Sequence, residues 1–178
     1  MLIKRLVDLV GSVIALAVLA LPLAIVALMI KIDSRGPVFF RMERVGRGGK
    51  PFTPWKFRTM TEGSPNKGLG LAVAVDDSRI TRVGNFLRVS SIDELPQLLN
   101  VLRGEMSLVG PRPTLPNQVE RYNERERKRL LAKPGITGLA AIRGRNSISW
   151  EQRIEYDIWY VENWSILLDL KILAATPW

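Results

Sequence analysis

The chain contains no cysteine and no histidine. Without cysteine there is no disulfide framework and no thiolate chemistry. Without histidine the commonest general base and the commonest transition-metal ligand are missing, so Ser-His-Asp and Cys-His mechanisms are excluded. Catalysis here has to draw on carboxylates, Lys, Arg, Tyr, Ser or Thr, and a metal would be a hard cation held by oxygen. Internal repeats and low-complexity tracts are also lacking. Acidic charge is in short supply, with 17 Asp and Glu against 26 Lys and Arg. That balance implies an anionic partner, whether nucleic acid, anionic lipid or a phosphorylated substrate, and does not choose among them. A length of 178 residues suffices for one domain with its own core.

Charge almost vanishes between residues 7 and 30, where Asp8 is the one ionisable side chain. The stretch is long enough to cross a bilayer. It is too long for a cleaved signal peptide and has no clear small-x-small exit. A spanning helix and a helix that enters the bilayer and turns back both fit. Pro22 lies within the stretch, where it removes a backbone hydrogen bond and favours a break. Lys4 and Arg5 precede the stretch, and Lys31, Arg35, Arg41 and Arg44 follow it. Cations at both ends give no orientation by the positive-inside rule, as expected if both ends stay on the cytoplasmic side. On these grounds the chain divides into a membrane helix over 1–30 and a membrane-associated domain over 31–178.

After residue 30 the character changes. Residues 31–60 carry eight basic and two acidic side chains. Short strand-like pieces appear at Pro37 to Phe40 and Phe52 to Phe57. Gly46 to Lys50 reads as a hairpin turn; a phosphate cradle is the weaker alternative, since Walker spacing is absent. Residues 61–78 read as a Gly- and Ser-containing loop. Ile92, Leu95, Leu98, Leu99 and Leu102 recur at helical spacing, which predicts a helix over 92–102. A charged helix is expected over 116–131, an amphipathic helix over 150–163 and a further apolar docking helix over 165–174. The aromatics Trp150, Tyr156, Trp159, Tyr160 and Trp164 suit a membrane interface, with ordinary core packing as the alternative.

Three constellations can carry chemistry. Asp93 and Glu94 are adjacent carboxylates at the expected start of a helix. Neighbouring helical side chains diverge by roughly 100°, so the pair cannot face each other as a glycosidase-type dyad. It can divide labour, one carboxylate attacking and one holding a metal, and a helix N-terminus favours the ionised form. Ordinary first-turn capping is the bland alternative. Gly110-Pro111-Arg112-Pro113 presents an arginine from a stiff backbone, suited to bidentate phosphate recognition; a rigid turn with an incidental arginine explains it equally well. Lys56 and Arg58, if on a strand, share one face and form an anion site or a solvated basic edge.

In this order the pieces resemble the bacterial sugar transferases, the monotopic polyprenyl-phosphate phosphoglycosyl transferases. The resemblance covers nearly the whole chain. It is carried by Lys4-Arg5-Leu6 to Asp8, Ser34 to Phe40, Glu43-Arg44-Val45-Gly46, Lys56 to Met60, Arg79 to Gly84 and Phe86-Leu87-Arg88. It continues through Ser91-Ile92-Asp93-Glu94-Leu95-Pro96-Gln97, Asn100-Val101-Leu102, Met106 to Pro113 and Lys133 to Gly138. No one of these segments is specific; their order is.

The resemblance implies an α/β fold with a re-entrant N-terminal membrane helix broken at Pro22, a small cytosolic α/β catalytic domain and interfacial amphipathic helices. It places the protein at the cytoplasmic face of a bacterial inner membrane. Asp93 would attack the β-phosphate of a UDP-sugar, releasing UMP and holding the phospho-sugar covalently. A polyprenyl (undecaprenyl) phosphate then accepts it, initiating glycoconjugate assembly. Glu94 would bind Mg2+, Arg112 and Arg88 would bind phosphate with Lys56 and Arg58 nearby, and Asp157 is a further candidate for the polar site. The chain departs from the family pattern in two places. Leu21 stands before Pro22 where a serine is common. The family also usually runs further past Asp169-Leu170-Lys171, so a C-terminal membrane-contacting segment is expected to be short or missing. A membrane-tethered nucleic-acid- or lipid-binding protein without catalysis is the competing reading. No nucleic-acid module is recognised and the cations are not interleaved with a stacking platform, so nucleic acid is not expected as a partner.

Overall fold

The computed structural model describes residues 2–64, 77–144 and 147–176. Most of the loop expected over 61–78 lies outside the described residues. The first element, α1 (Leu2–Asp33), is one 32-residue helix that runs through Pro22 without interruption. It is long and apolar enough to cross a membrane, and most of its apolar surface is not covered by the rest of the chain. Val13, Ile14, Val18, Leu21, Ile25 and Leu28 are all exposed.

Both ends of α1 are fastened to the rest of the protein. Near its start, the Asp8 carboxylate is buried and accepts from Ser107 Oγ at 2.9 Å and Leu108 N at 3.0 Å. Lys4 Nζ donates to Asp169 at 2.7 Å and to the Val109 carbonyl at 3.1 Å. Arg5 donates to the carbonyls of Val101 and Leu102, where a cation complements a helix C-terminus. At the other end, Leu23, Val26, Ala27 and Ile30 pack against Phe57 and Leu87.

Strand content is small. β1 (Phe39–Phe40) pairs antiparallel with β4 (Lys56–Phe57), β2 (Arg44–Val45) pairs antiparallel with β3 (Pro51–Phe52), and β5 (Ser107–Val109) pairs parallel with β6 (Gly135–Thr137). The β2–β3 connection is the expected hairpin turn, with Gly48 and Gly49 at φ 66° and 80°. The helices are α2 (Arg82–Ser90), α3 (Leu98–Arg103), α4 (Pro116–Val119), α5 (Glu124–Arg127), α6 (Leu139–Ile142), α7 (Trp150–Glu162) and α8 (Ile166–Ala175). The fold is therefore mixed helix and strand with a long apolar N-terminal helix, its sheets reduced to pairs among the described residues.

Two helix expectations are corrected. The expected helix over 116–131 is three short pieces, α4, α5 and a 3-10 turn at Lys128–Leu131. Asn123 ends the first piece by starting a new one: its side chain accepts from Glu126 N at 2.9 Å while Glu126 accepts from Asn123 N at 2.9 Å, a reciprocal cap that favours initiation over continuation. The expected helix over 92–102 begins as a 3-10 turn, Ile92–Gln97, and becomes α only at Leu98. Pro96 has no amide proton for the Ile92 carbonyl, so the α ladder cannot start before it. The expected helices at 150–163 and 165–174 are α7 and α8. Of the aromatic set, Tyr160 is core, Tyr156 and Trp164 pack beside it, and Trp150 and Trp159 are exposed.

Candidate active site

The site is built around a reversal of the chain after α2. Ser91 sits at φ 59°, ψ 13° and serves as the last cap of α2 and the first cap of the 3-10 turn. It is the one non-glycine residue with positive φ among the described residues, a conformation that costs on the order of 1 kcal/mol. The turn directs Ile92 toward the core beside Phe57 and Leu87 and buries Asp93.

Lys56 arrives on β4. Its neighbour Phe57 points into the core, so alternation along the strand leaves Lys56 on the other side. Lys56 Nζ lies 2.8 Å from Asp93 Oδ2 and 3.2 Å from Glu94 Oε1. The adjacent carboxylates thus share one ammonium although their side chains diverge. Glu94 is also held by Arg112, with Nη2 2.7 Å from Oε1 and Nη1 3.3 Å from Oε2. This is the bidentate geometry for which a guanidinium is suited.

Arg112 follows β5 in the Gly110-Pro111-Arg112-Pro113 segment. Gly110 is required there by close backbone approach, since a Cβ would collide with the carbonyl of Lys133. Beneath the segment lies a buried ion pair, Arg129 with Asp157. Arg129 also donates to the Arg112 carbonyl at 3.1 Å and to the Tyr122 hydroxyl. The Arg112 side chain itself is 62% exposed.

These groups line a cavity of about 760 Å³. Six cations face it (Arg44, Lys56, Arg88, Arg112, Arg129 and Arg153) and three carboxylates (Asp93, Glu94 and Asp157), so its net formal charge is positive. That is the balance expected of a site for a phosphorylated molecule. Burial raises the Asp93 carboxyl above its ordinary range, against the pull of Lys56. Burial would also raise Glu94, but Arg112 and Lys56 outweigh it and hold that carboxyl at about 2. Burial pushes Asp157 up to about 6 despite Arg129.

The structure brings together Asp93, Glu94, Lys56, Arg88, Arg112 and Asp157 around one cavity. Arg58 is placed elsewhere. Strand β4 ends at Phe57, so the alternation that would align Arg58 with Lys56 does not continue. Arg58 is buried at the end of α1, donating to the carbonyls of Ser34, at 2.8 Å, and of Arg35. There it satisfies carbonyls of the turn that follows α1. Asp157 lies at the site but paired within the protein. Sequence reasoning missed Arg129, Arg44, Arg153 and Trp150. Arg129 stands in the charged run from Glu124 to Arg129, where nothing in the local pattern separates it from solvated neighbours; only its long-range partners do.

No group of three or more Asp, Glu, His or Cys capable of caging a metal occurs among the described residues. The donor set is the two adjacent carboxylates. That set fits a Mg2+ ion held by one or two carboxylates together with substrate phosphates and water, and does not fit an all-protein cage.

The bacterial sugar transferase family model matches residues 1–178. The chain is 49% identical over 176 residues to the uncharacterized sugar transferase EpsL of Bacillus subtilis, covering 99% of this chain and 86% of that protein. It is 45% identical over 184 residues to a UDP-glucose:undecaprenyl-phosphate glucose-1-phosphate transferase of Klebsiella pneumoniae, covering 99% of this chain and 39% of that protein. It is 42% identical over 189 residues to an undecaprenyl-phosphate galactose phosphotransferase of Salmonella typhimurium, covering 98% of this chain and 39% of that protein. The chain thus spans most of the Bacillus protein and about two fifths of the two longer relatives. The chain belongs to the bacterial sugar transferase family.

Proposed function

We propose that the protein transfers a sugar 1-phosphate from a UDP-sugar to undecaprenyl phosphate in two steps, with Asp93 as the nucleophile. The observation that carries this reading is a buried carboxylate, ion-paired with Lys56 at 2.8 Å, on the wall of a cavity lined by six cations. In the first step an Asp93 oxygen bonds to the β-phosphorus, the bond from that phosphorus to the bridging oxygen breaks, and UMP leaves. In the second step an oxygen of the polyprenyl phosphate attacks the acyl phosphate and Asp93 returns as the carboxylate. Lys56 orients the Asp93 carboxylate and offsets repulsion between two anions. Arg112 and Arg88 hold phosphate oxygens. Glu94, with Asp93 beside it, would hold Mg2+, which supplies charge neutralisation at the diphosphate when bound.

The test uses radiolabelled UDP-sugar without acceptor, run over a panel of sugars. About one equivalent of UMP per site is expected before acceptor is added. Label should stay on the protein through denaturation in mild acid and be released by hydroxylamine. Direct attack by the lipid phosphate in a ternary complex predicts neither result, and finding neither would reject the covalent route.

The same reading places both ends of α1 on the cytoplasmic face of the inner membrane. A straight helix of this length measures about 48 Å, more than the roughly 30 Å hydrocarbon layer. Both of its ends are nevertheless fastened to one polar body, through Asp8 and Lys4 at one end and Ile30 at the other. Fastening of the helix at both ends supports one that enters one leaflet and returns, bending at Pro22 while the helix continues through it. The absence of native cysteine makes this simple to check. A single Cys near residue 2 should react with an impermeant reagent only from the cytoplasmic side; reaction from the periplasmic side would establish a spanning helix.

A further inference from the structure

We propose that the outer face of α2 is the binding site for the first isoprene units of the acceptor, with Phe86 and Val89 as its contact residues. The proposal rests on the acceptor assigned above.

The nine-residue helix α2 turns Val83 and Leu87 inward, against Leu23, Val26 and Ala27 of α1. Phe86 and Val89 lie three residues apart and therefore on one face. They are 58% and 74% exposed. A surface helix facing water carries polar residues on its outer side; this one carries two large apolar side chains among the exposed Arg82 and Asn85. The helix it packs on has its own exposed apolar residues at the same end, Ile25, Leu28 and Ile32.

The next observation links this face to the site. Val89 lines the cavity of about 760 Å³, as do Asn85 and Arg88 from the same helix and Asp93 beyond it. Within one turn α2 passes from a cation in the cavity to an apolar surface outside it. That juxtaposition matches a molecule whose anionic phosphate is joined directly to a hydrocarbon chain. The UDP-sugar is polar at both ends and has no use for it. A phosphate held near Arg88 leaves its isoprenyl chain running over Val89 and Phe86 toward the exposed side of α1.

The test compares acceptor kinetics in the full-length protein. Phe86→Ser and Val89→Asn are expected to raise the KM for undecaprenyl phosphate in vesicles about tenfold or more, the loss of one buried apolar side chain. Phe86→Leu should stay within about twofold, since it keeps most of the apolar contact. The KM for the UDP-sugar should move by less than about twofold in all three, a split that general misfolding does not produce. The same measurement with geranyl phosphate in buffer identifies what the face touches. A rise with both acceptors supports chain recognition. A rise in vesicles alone shows that α2 is only a bilayer anchor and overturns the proposal, as does no rise with either. If the parent protein transfers to neither acceptor, the assignment of the reaction itself falls, and this proposal with it.

Discussion

Asp93→Asn should lower turnover by about four orders of magnitude or more, the scale of losing a nucleophile. The amide keeps the shape of the side chain but cannot form the acyl phosphate. Glu94 is not suited to replace it. Arg112 and Lys56 hold its carboxyl at about 2, which makes it a weak base. Asp93 is shifted the other way by burial, so its oxygens are the more basic of the pair. The two neighbours thus differ in the property that matters: one is suited to attack, the other to remain charged. Glu94→Gln should accordingly retain weak activity with an altered Mg2+ requirement. Near-parental turnover by the Asn variant, with deamidation ruled out by mass spectrometry, would remove Asp93 from the nucleophile role.

Arg129→Ala should destabilise the protein by about 3–5 kcal/mol, measured by urea denaturation in detergent micelles. The substitution leaves the Asp157 carboxylate buried without its partner. It also strips a donor from the Arg112 carbonyl and from Tyr122, so activity should fall together with stability. Replacing both partners by apolar residues, Arg129→Met with Asp157→Leu, should recover much of the stability, because no isolated charge remains. Activity should not recover with it, since the Arg112 segment still lacks its support. A loss below about 1 kcal/mol in the single variant would show that water reaches Asp157 and that the pair is not a structural element.

The parts of this molecule legible in its sequence are those with local causes. The apolar helix, the turn between Val45 and Pro51 and the helix capped at Ser149 each follow from a short pattern. At Ser149 the side chain accepts from Gln152 N at 3.2 Å, a signal contained within four residues. The Asp93-Glu94 pair and the stiff Arg112 segment could be picked out as chemical candidates. That they meet through Glu94 could not, because the contact joins residues separated by 18 positions. Arg58 failed for a related reason. The face it would share with Lys56 depends on a strand that reaches residue 58, and β4 stops at Phe57. The break at Asn123 does carry a local signal, an Asn followed three residues later by Glu. Arg129 had no such signal.

The fastening of α1 at both ends has a practical consequence for anyone seeking a water-soluble catalytic fragment. Deleting the helix would not release a finished domain. It would leave Ser107 Oγ and Leu108 N without the Asp8 carboxylate and Arg58 without the Ile30 carbonyl. It would also strip the packed side from Phe57 and Leu87. Buried donors without acceptors cost about 1–3 kcal/mol each, enough together to consume the marginal stability of a small domain. The helix is a wall of the enzyme as well as its anchor. Solubility is better sought by rewriting its outward positions, Val13, Val18 and Leu21 among them, while Lys4, Arg5, Asp8 and Ile30 are left as they are.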